Sequence, residues 1–203
     1  MTAYLTPGAV LDYWIGPATH DHIAANRLHK RWFIKSADTD AFIQTQFGDL
    51  LDQLNDGLAP QWGKSGPRQT LAAIIVLDQF SRNIHRGTPM SFAFDPLALQ
   101  LTKAGLARGD TSHLTEVEQA FFLMPLEHSE TLEDQNACVT AFENLLESSR
   151  SAFRPLLENS LDYARQHRDV IAQFGRFPHR NAILDRESSA DEAEYLKKPG
   201  SGF

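Results

Sequence analysis

The chain has 203 residues and a mass of 22.8 kDa, a size at which one domain buries a core without a disulfide or a metal. Hydrophobic residues make up 42% of it and charged residues 22%, the composition of an ordinary globular domain. Its formal net charge of −7 argues against general binding to nucleic acid or to an anionic membrane surface. We therefore expect a single domain over residues 1–203, with no nucleic-acid partner and no membrane partner.

Cysteine content and the N-terminal sequence bear on the compartment. Cys138 is the sole cysteine, which excludes an internal disulfide, a cysteine zinc site and an iron–sulfur cluster. The N-terminal residues show no cationic segment followed by an apolar one, and no apolar run is long enough to span a membrane. We expect a cytoplasmic protein.

The first half of the chain carries repeated helix signals. Thr6 and Pro7 predict the start of a first helix. Asp38 is predicted to cap a helix that ends before Gly57, and Pro67 and Asp95–Pro96 open two further helices. Residues 59–66 and 85–94 contain Gly and Pro and are predicted to be connecting loops.

The second half continues the helical pattern. Residues 115–118 and 189–192 each fit a capping box, and Thr131 opens a helix between them. A long amphipathic stretch covers residues 153–174, and residues 199–203 are predicted to be extended. Because no alternating strand pattern of useful length occurs, we predict an all-α protein built as an array of antiparallel helix pairs.

Three polar clusters follow apolar helical segments. Residues 71–77 and 120–126 are apolar on every side and run into polar residues 78–86 and 127–130. A third polar cluster, residues 174–181, ends the long late helix. If the helices alternate in direction, these three helices are parallel and their C-terminal ends meet. This topology predicts that Arg82, His128 and His179 lie at one end of the bundle.

The positive charge is concentrated in two of these regions. Residues 165–186 carry a net charge of +3 and residues 78–86 carry +1, which leaves −11 for the rest of the chain. A cationic island in an acidic protein suits a small anion, since arginine offers paired donors to phosphate or carboxylate. The predicted ligand-binding residues are Arg82, Asn83, Arg86, Arg176, Arg180 and Asn181.

Two histidines are candidates for acid–base chemistry, because imidazole titrates near neutral pH. They are His128 and His179, and Asp78 and Glu127 are candidates to position or tune them. Glu127 directly precedes His128, and neighbouring helical residues diverge by about 100°, so Glu127 is not expected to orient that imidazole.

Other kinds of site find little support in the sequence. His167 and Asp169 point to different helix faces and make a poor metal-ligand pair, and we expect neither a metal nor a cofactor. No Gly-rich phosphate loop is present, and no serine sits in a nucleophile elbow. Cys138 and the tryptophans Trp14, Trp32 and Trp62 are predicted to be core residues.

The polar clusters also resemble a known family. Residues 77–84 (LDQFSRNI), 125–130 (PLEHSE) and 174–181 (FGRFPHRN) are similar to signature stretches of the bacterial family named domain of unknown function 924. The resemblance extends from residues 10–14 to the closing residues 199–203. It implies a tetratricopeptide-like all-α fold and supplies no activity or catalytic residue. Asp185 stands where the family pattern leads us to expect glycine.

Three functions remain open at this point. The first is a pocket for a small anionic metabolite, with acid–base or hydrolytic chemistry. The second is a tetratricopeptide-like interaction module that grips a peptide carboxylate. The third is a purely structural network, in which Asp78 and Arg82 pair at i,i+4 within one helix.

Overall fold

The computed structural model describes residues 5–202, so residues 1–4 and Phe203, the end of the predicted tail, lie outside it. Within the described residues no β-strand occurs, which confirms the all-α prediction. Across this same range, no helix combines the length and the apolar character that a membrane span requires.

Eleven α-helices make up most of the described chain. They are α1 (Pro7–Trp14), α2 (His22–Phe33), α3 (Ala37–Gln53), α4 (Ala59–Ser65), α5 (Pro67–Ile74), α6 (Ser81–Ile84), α7 (Asp95–Arg108), α8 (Glu116–Glu127), α9 (Leu132–Ser148), α10 (Arg154–Phe174) and α11 (Ala190–Leu196). Wider π-helical turns, Leu54–Leu58 and Ile75–Phe80, join α3 to α4 and α5 to α6.

Most predicted helix starts are confirmed. The Thr6 hydroxyl accepts a hydrogen bond from the Ala9 N–H at 3.2 Å, with Pro7 in the first position of α1. Before α11, the Ser189 N–H donates to the Glu192 carboxylate at 2.7 Å and the Ser189 hydroxyl accepts from the Glu192 N–H at 3.2 Å. These side chains satisfy N–H groups that the helix itself cannot pair.

Two local predictions are wrong. Ser36, not Asp38, caps α3, because its extended backbone lets its hydroxyl accept from the Thr39 N–H at 3.3 Å. Asp38 lies in the first turn, where a carboxylate complements the helix dipole. The loop predicted over residues 59–66 is mostly α4, since Gly57 adopts a φ of 116° and turns the chain without ending the helical path.

The two apolar segments form the centre of the protein. Every residue of 71–77 and of 120–126 is buried, and so are Trp14, Trp32 and Trp62, as predicted. Helix α9 packs against both α8 and α10, while α5 contacts α7 and α8. This packing of successive helices is compatible with a tetratricopeptide-like array.

Gly105 of α7 marks a close helix contact in this core. A Cβ at Gly105 would lie 2.9 Å from Asp110 Oδ2 and even closer to the Phe122 ring. We predict that Gly105→Ala lowers the free energy of unfolding by about 1–3 kcal/mol, because overpacking forces neighbouring side chains to move. Urea unfolding measures this change.

Gly48→Ala in α3 is the matched control. A Cβ there meets the flexible end of Gln44 at 3.0 Å, so the higher helix propensity of alanine is expected to leave stability unchanged or raise it by up to about 1 kcal/mol. Equal losses in both variants would contradict the close approach at Gly105.

Candidate functional site

Asp78 is fully buried and lies in the π-helical turn that links α5 to α6. A π-helical turn changes the direction in which the following side chains project, and such turns are frequent at functional sites. The turn places Asp78 on the side of the helix that faces the C-terminal end of α8. A buried carboxyl in this position needs partners for both of its oxygens.

His128 and Arg82 are the charged partners, both at Oδ1, and the Gln79 amide donates to Oδ2. The Nδ1 atom of His128, the residue that follows α8, lies 2.6 Å from Asp78 Oδ1, and Arg82 Nη1 lies 3.4 Å from the same oxygen. Burial by itself would raise the pKa of Asp78, but the nearby His128 and Arg82 outweigh it and hold that pKa below its usual range. Asp78 is therefore a carboxylate at neutral pH.

The hydrogen bond to Asp78 defines the tautomer of His128. A carboxylate only accepts, so Nδ1 carries the hydrogen and Nε2 is the basic nitrogen. Nε2 forms no hydrogen bond with any residue in the described range 5–202, and 16% of the side chain stays exposed. Burial and the positive charge of Arg82 lower the pKa of His128, so the imidazole is neutral at pH 7.

Asp95 connects the polar cluster 78–86 to the polar cluster 174–181. Its carboxylate accepts two hydrogen bonds from Arg82, at 2.8 and 3.0 Å, and one from Arg180 at 3.5 Å. Arg180 also donates to the main-chain oxygen of His128 at 3.1 Å. The three clusters that are distant in sequence therefore meet, as the predicted topology requires.

Arg180 is buried in aromatic surroundings. Its guanidinium carbon lies 4.7 Å from the centre of the Phe92 ring and 4.6 Å from that of Phe177. Burial and the nearby charge of Arg82 lower the pKa of Arg180 to about 10, which still leaves it protonated at neutral pH. The cation–π contacts stabilise this charge without occupying its N–H groups.

The Glu127 carboxyl contacts His167 and not His128, its neighbour in the sequence. Its Oε1 atom is 3.3 Å from Nδ1 of His167 on α10, and that nitrogen also donates to the Tyr163 carbonyl at 2.8 Å. Burial, reinforced by the charge of Asp78, raises the pKa of Glu127 to about 8. Burial lowers the pKa of His167 to about 3, so this pair is neutral at pH 7.

His179 packs against Phe177 and is close enough to Arg180 to be affected by its charge. Its ring centre is 5.5 Å from that of Phe177. Burial and the charge of Arg180 lower the pKa of His179 to about 4. Its part in proton transfer stays a prediction.

The remaining predicted ligand-binding residues are paired with protein groups. Asn83 and Arg86 both bind the carboxylate of Asp40, at 2.6–2.8 Å. Arg176 forms a two-pronged pair with Glu192 at 2.6 and 2.7 Å. The Asn181 side chain donates to Ser188 and accepts from Arg186, both at 3.0 Å. Their binding roles stay predictions.

Sequence reasoning misses Asp95 and Phe92 as members of this region, and it assigns no role to Glu130 of the cluster 127–130. The sequence indicates Asp95 only as a helix start, although an acidic residue that opens a helix near an arginine-containing cluster is a usable signal. Glu130 accepts two hydrogen bonds from Arg186, at 2.7 and 3.0 Å, and one from the Phe177 N–H at 2.8 Å. No sequence signal points to Phe92.

Two cavities and the distribution of metal-binding groups complete the description. A cavity of about 330 Å³ lies beside Arg176 and Glu192, and one of about 540 Å³ lies between α1 and the start of α5. Neither is lined by His128 or Arg180. From residue 5 to residue 202, no three His, Cys, Asp or Glu side chains are grouped so that they could hold a metal ion.

Comparison with known proteins agrees with the motifs. Residues 10–200 match the family described as bacterial protein of unknown function (DUF924), and the chain belongs to that family. A solved structure of a protein of unknown function from Agrobacterium tumefaciens is 30% identical, with a TM-score of 0.77. The match covers 94% of this chain and 96% of that one. No curated protein matches the chain.

The Asp78–His128 pair can be tested without a substrate. We predict that NMR spectra of ¹⁵N-labelled protein show His128 as the Nδ1–H tautomer, with a pKa below the ordinary 6.5. In Asp78→Asn this pKa should fall further, because the carboxylate is the group that favours the imidazolium. His128→Gln assigns the resonance, and an unchanged or raised pKa in Asp78→Asn would contradict the pairing.

Glu127 gives a second prediction, on stability. Its pKa is about 8 in the fold and near 4.5 when unfolded, so the folded state holds the extra proton between those pH values. Its contribution to stability is thus present below about pH 4.5 and is lost as the pH rises through 8. Glu127→Gln should remove this loss. Between pH 5 and pH 8.5 its free energy of unfolding should therefore rise relative to that of the wild type, by on the order of a few kcal/mol.

Urea unfolding of both proteins at several pH values measures the difference. Glu133→Gln, an exposed change on α9, is the control and should follow the wild type within about 0.5 kcal/mol. Parallel stability curves for Glu127→Gln and wild type would show that Glu127 is ionised in the fold.

Proposed function

We propose that this protein binds a small anionic metabolite beside Arg180 and carries out acid–base chemistry on it, with His128 as the general base. The observation that carries the proposal is the 2.6 Å contact between His128 Nδ1 and Asp78 Oδ1. It leaves a neutral imidazole whose Nε2 is basic and unpaired among the described residues. A carboxylate that orients an imidazole in this way is a recurrent arrangement for proton abstraction.

The neighbouring charges support the choice of an anionic ligand. Arg180 donates to the main chain of His128 itself, so its guanidinium and the imidazole belong to one small region. An anion held there would bring its own atoms close to Nε2. Positioning of this kind is a large part of how enzymes lower activation barriers.

A proton taken up by His128 would be stabilised by Asp78. The buried carboxylate favours the imidazolium over the neutral ring. Burial and the charge of Arg82 oppose it, which keeps the free imidazole neutral and available as a base. The two charges thus set the basicity of Nε2 in opposite directions, and this is the balance a general base near neutral pH needs.

A thermal-shift screen tests binding, with inorganic phosphate, nucleoside phosphates and small carboxylates as probes. A ligand at about 100 times its dissociation constant should add roughly 2.7 kcal/mol to the stability. The shift should disappear in Arg180→Ala and be reduced in Arg180→Lys, which keeps the charge but loses the planar fork. Arg165→Ala, which removes an exposed arginine paired with Glu143, is the control and should keep it.

A deuterium-exchange assay tests the chemistry. Each ligand found is incubated with protein in D₂O, and its NMR spectrum is followed for exchange or turnover. His128→Gln should slow the reaction by about 10²–10⁴-fold. Binding without any reaction in the wild type would leave an anion-binding protein and remove the catalytic role of His128.

A structural network is the second candidate, and one observation favours it. The carboxylates of Asp78 and Asp95 already balance the charges of Arg82 and Arg180, so a ligand is not needed to balance them. On this view no probe binds, and Arg82→Ala costs about 3–5 kcal/mol because it leaves buried carboxylates unpaired. The interaction module that grips a peptide carboxylate has no comparable observation and stays a prediction.

A further inference from the structure

The arginines of the candidate site differ in how closely protein carboxylates hold their guanidinium groups. Arg82 forms two hydrogen bonds with Asp95 and a third with the Asp78 main-chain oxygen at 2.5 Å. Arg86 and Arg176 each form a two-pronged pair with a carboxylate, at 2.6–2.8 Å. Each of these three guanidiniums is therefore held by a two-pronged carboxylate pair at 3.0 Å or less.

Arg180 is different. Its side chain is 8% exposed, and its contact with Asp95 is 3.5 Å long. Its one other hydrogen bond within residues 5–202 goes to the His128 oxygen, and its Nε atom is buried with no hydrogen-bond partner there. A buried N–H on a charged group without an acceptor is costly, and such a group calls for an explanation.

The shape of the free donors suits a planar ligand. The Nε–H and the neighbouring terminal nitrogen form one edge of the guanidinium, and a carboxylate binds such an edge through both of its oxygens. Phe92 and Phe177 lie against Arg180 and hold its plane. Because Nε is covered, a ligand reaches it only when a neighbouring group moves. The hydrogen bond to Asp95, at 3.5 Å, is the longer of the two that Arg180 forms, so we expect Asp95 to be the group that moves.

The charge balance of the site limits the charge of the ligand. Two guanidiniums, those of Arg82 and Arg180, face the carboxylates of Asp78 and Asp95. His128 and Glu127 are neutral at pH 7, so the formal sum is zero. A monoanion adds one charge beside an underused guanidinium. A dianion adds two, and its binding costs more because each further buried charge without a partner is unfavourable.

We infer that the ligand of this site is a small monocarboxylate, bound edge-on to Arg180 through the unpaired Nε–H. The inference rests on the proposed function and narrows it, since phosphates and nucleotides are then poor ligands. It also assigns Arg180 as the residue that contacts the ligand, while Arg82 holds Asp78 and Asp95 in place.

The Nε–H signal of Arg180 offers a direct readout. In ¹H–¹⁵N NMR spectra a buried Nε–H exchanges slowly and gives a resolved peak, which Arg180→Lys assigns by its disappearance. Formate, acetate, pyruvate and lactate are titrated at constant ionic strength, against inorganic phosphate and glycerol phosphate. We expect at least one monocarboxylate to shift the peak with saturation, with an affinity at least tenfold above that of either phosphate.

The outcomes separate the two proposals. If a phosphate shifts the peak and binds more tightly than every monocarboxylate, the inference is overturned and the anion site stands. If no probe shifts the peak, both fail and the structural network is favoured. Arg165→Gln should reproduce the wild-type titrations, and a monocarboxylate that shifts other peaks equally in Arg180→Lys would place the ligand elsewhere and overturn the inference.

Discussion

The buried carboxylate of Asp78 is the constraint on which this end of the protein depends. A charge with no solvent exposure is tolerated only when opposite charges and hydrogen-bond donors surround it. His128 supplies a donor at 2.6 Å, and Arg82 supplies a positive charge at 3.4 Å. Those residues are in turn held by Asp95 and Arg180, so the positions of α7, α8 and the segment after α10 are all tied to one carboxylate.

The surroundings shift the pKa values of two carboxyl groups of this region in opposite directions. Asp78 stays ionised because positive charges outweigh its burial, whereas Glu127 stays protonated because burial and the charge of Asp78 act together. Such a divergence between neighbouring titratable groups is typical of sites that move protons. Structural ion networks also produce it, which is why chemical reactivity of His128 is the deciding property and the shifts by themselves are not.

The sequence predicts the helices of this arrangement and their directions, but not which side chains pair with one another. Capping residues such as Thr6 and Ser189 act locally, so their signals can be read directly. The convergence of residues 78–86, 127–130 and 174–181 follows from helix direction alone. Asp95 as the bridge between two arginines depends on distances between helices, and the π-helical turn at Ile75–Phe80 depends on packing. A periodicity of 3.6 residues contains neither kind of information.

Arg180 shows why burial and pairing must be judged together at such a site. The guanidinium of Arg82 is also largely buried, but it is held by a close two-pronged pair with Asp95 and by a third hydrogen bond to the Asp78 main chain. Arg180 has aromatic rings against it, one long ion pair and a covered Nε, an arrangement that stabilises the charge while leaving a directed donor unused. Proteins rarely leave a buried donor without an acceptor. Since residues 5–202 supply no acceptor for this N–H, it is the strongest physical reason to expect a ligand at this end of the bundle.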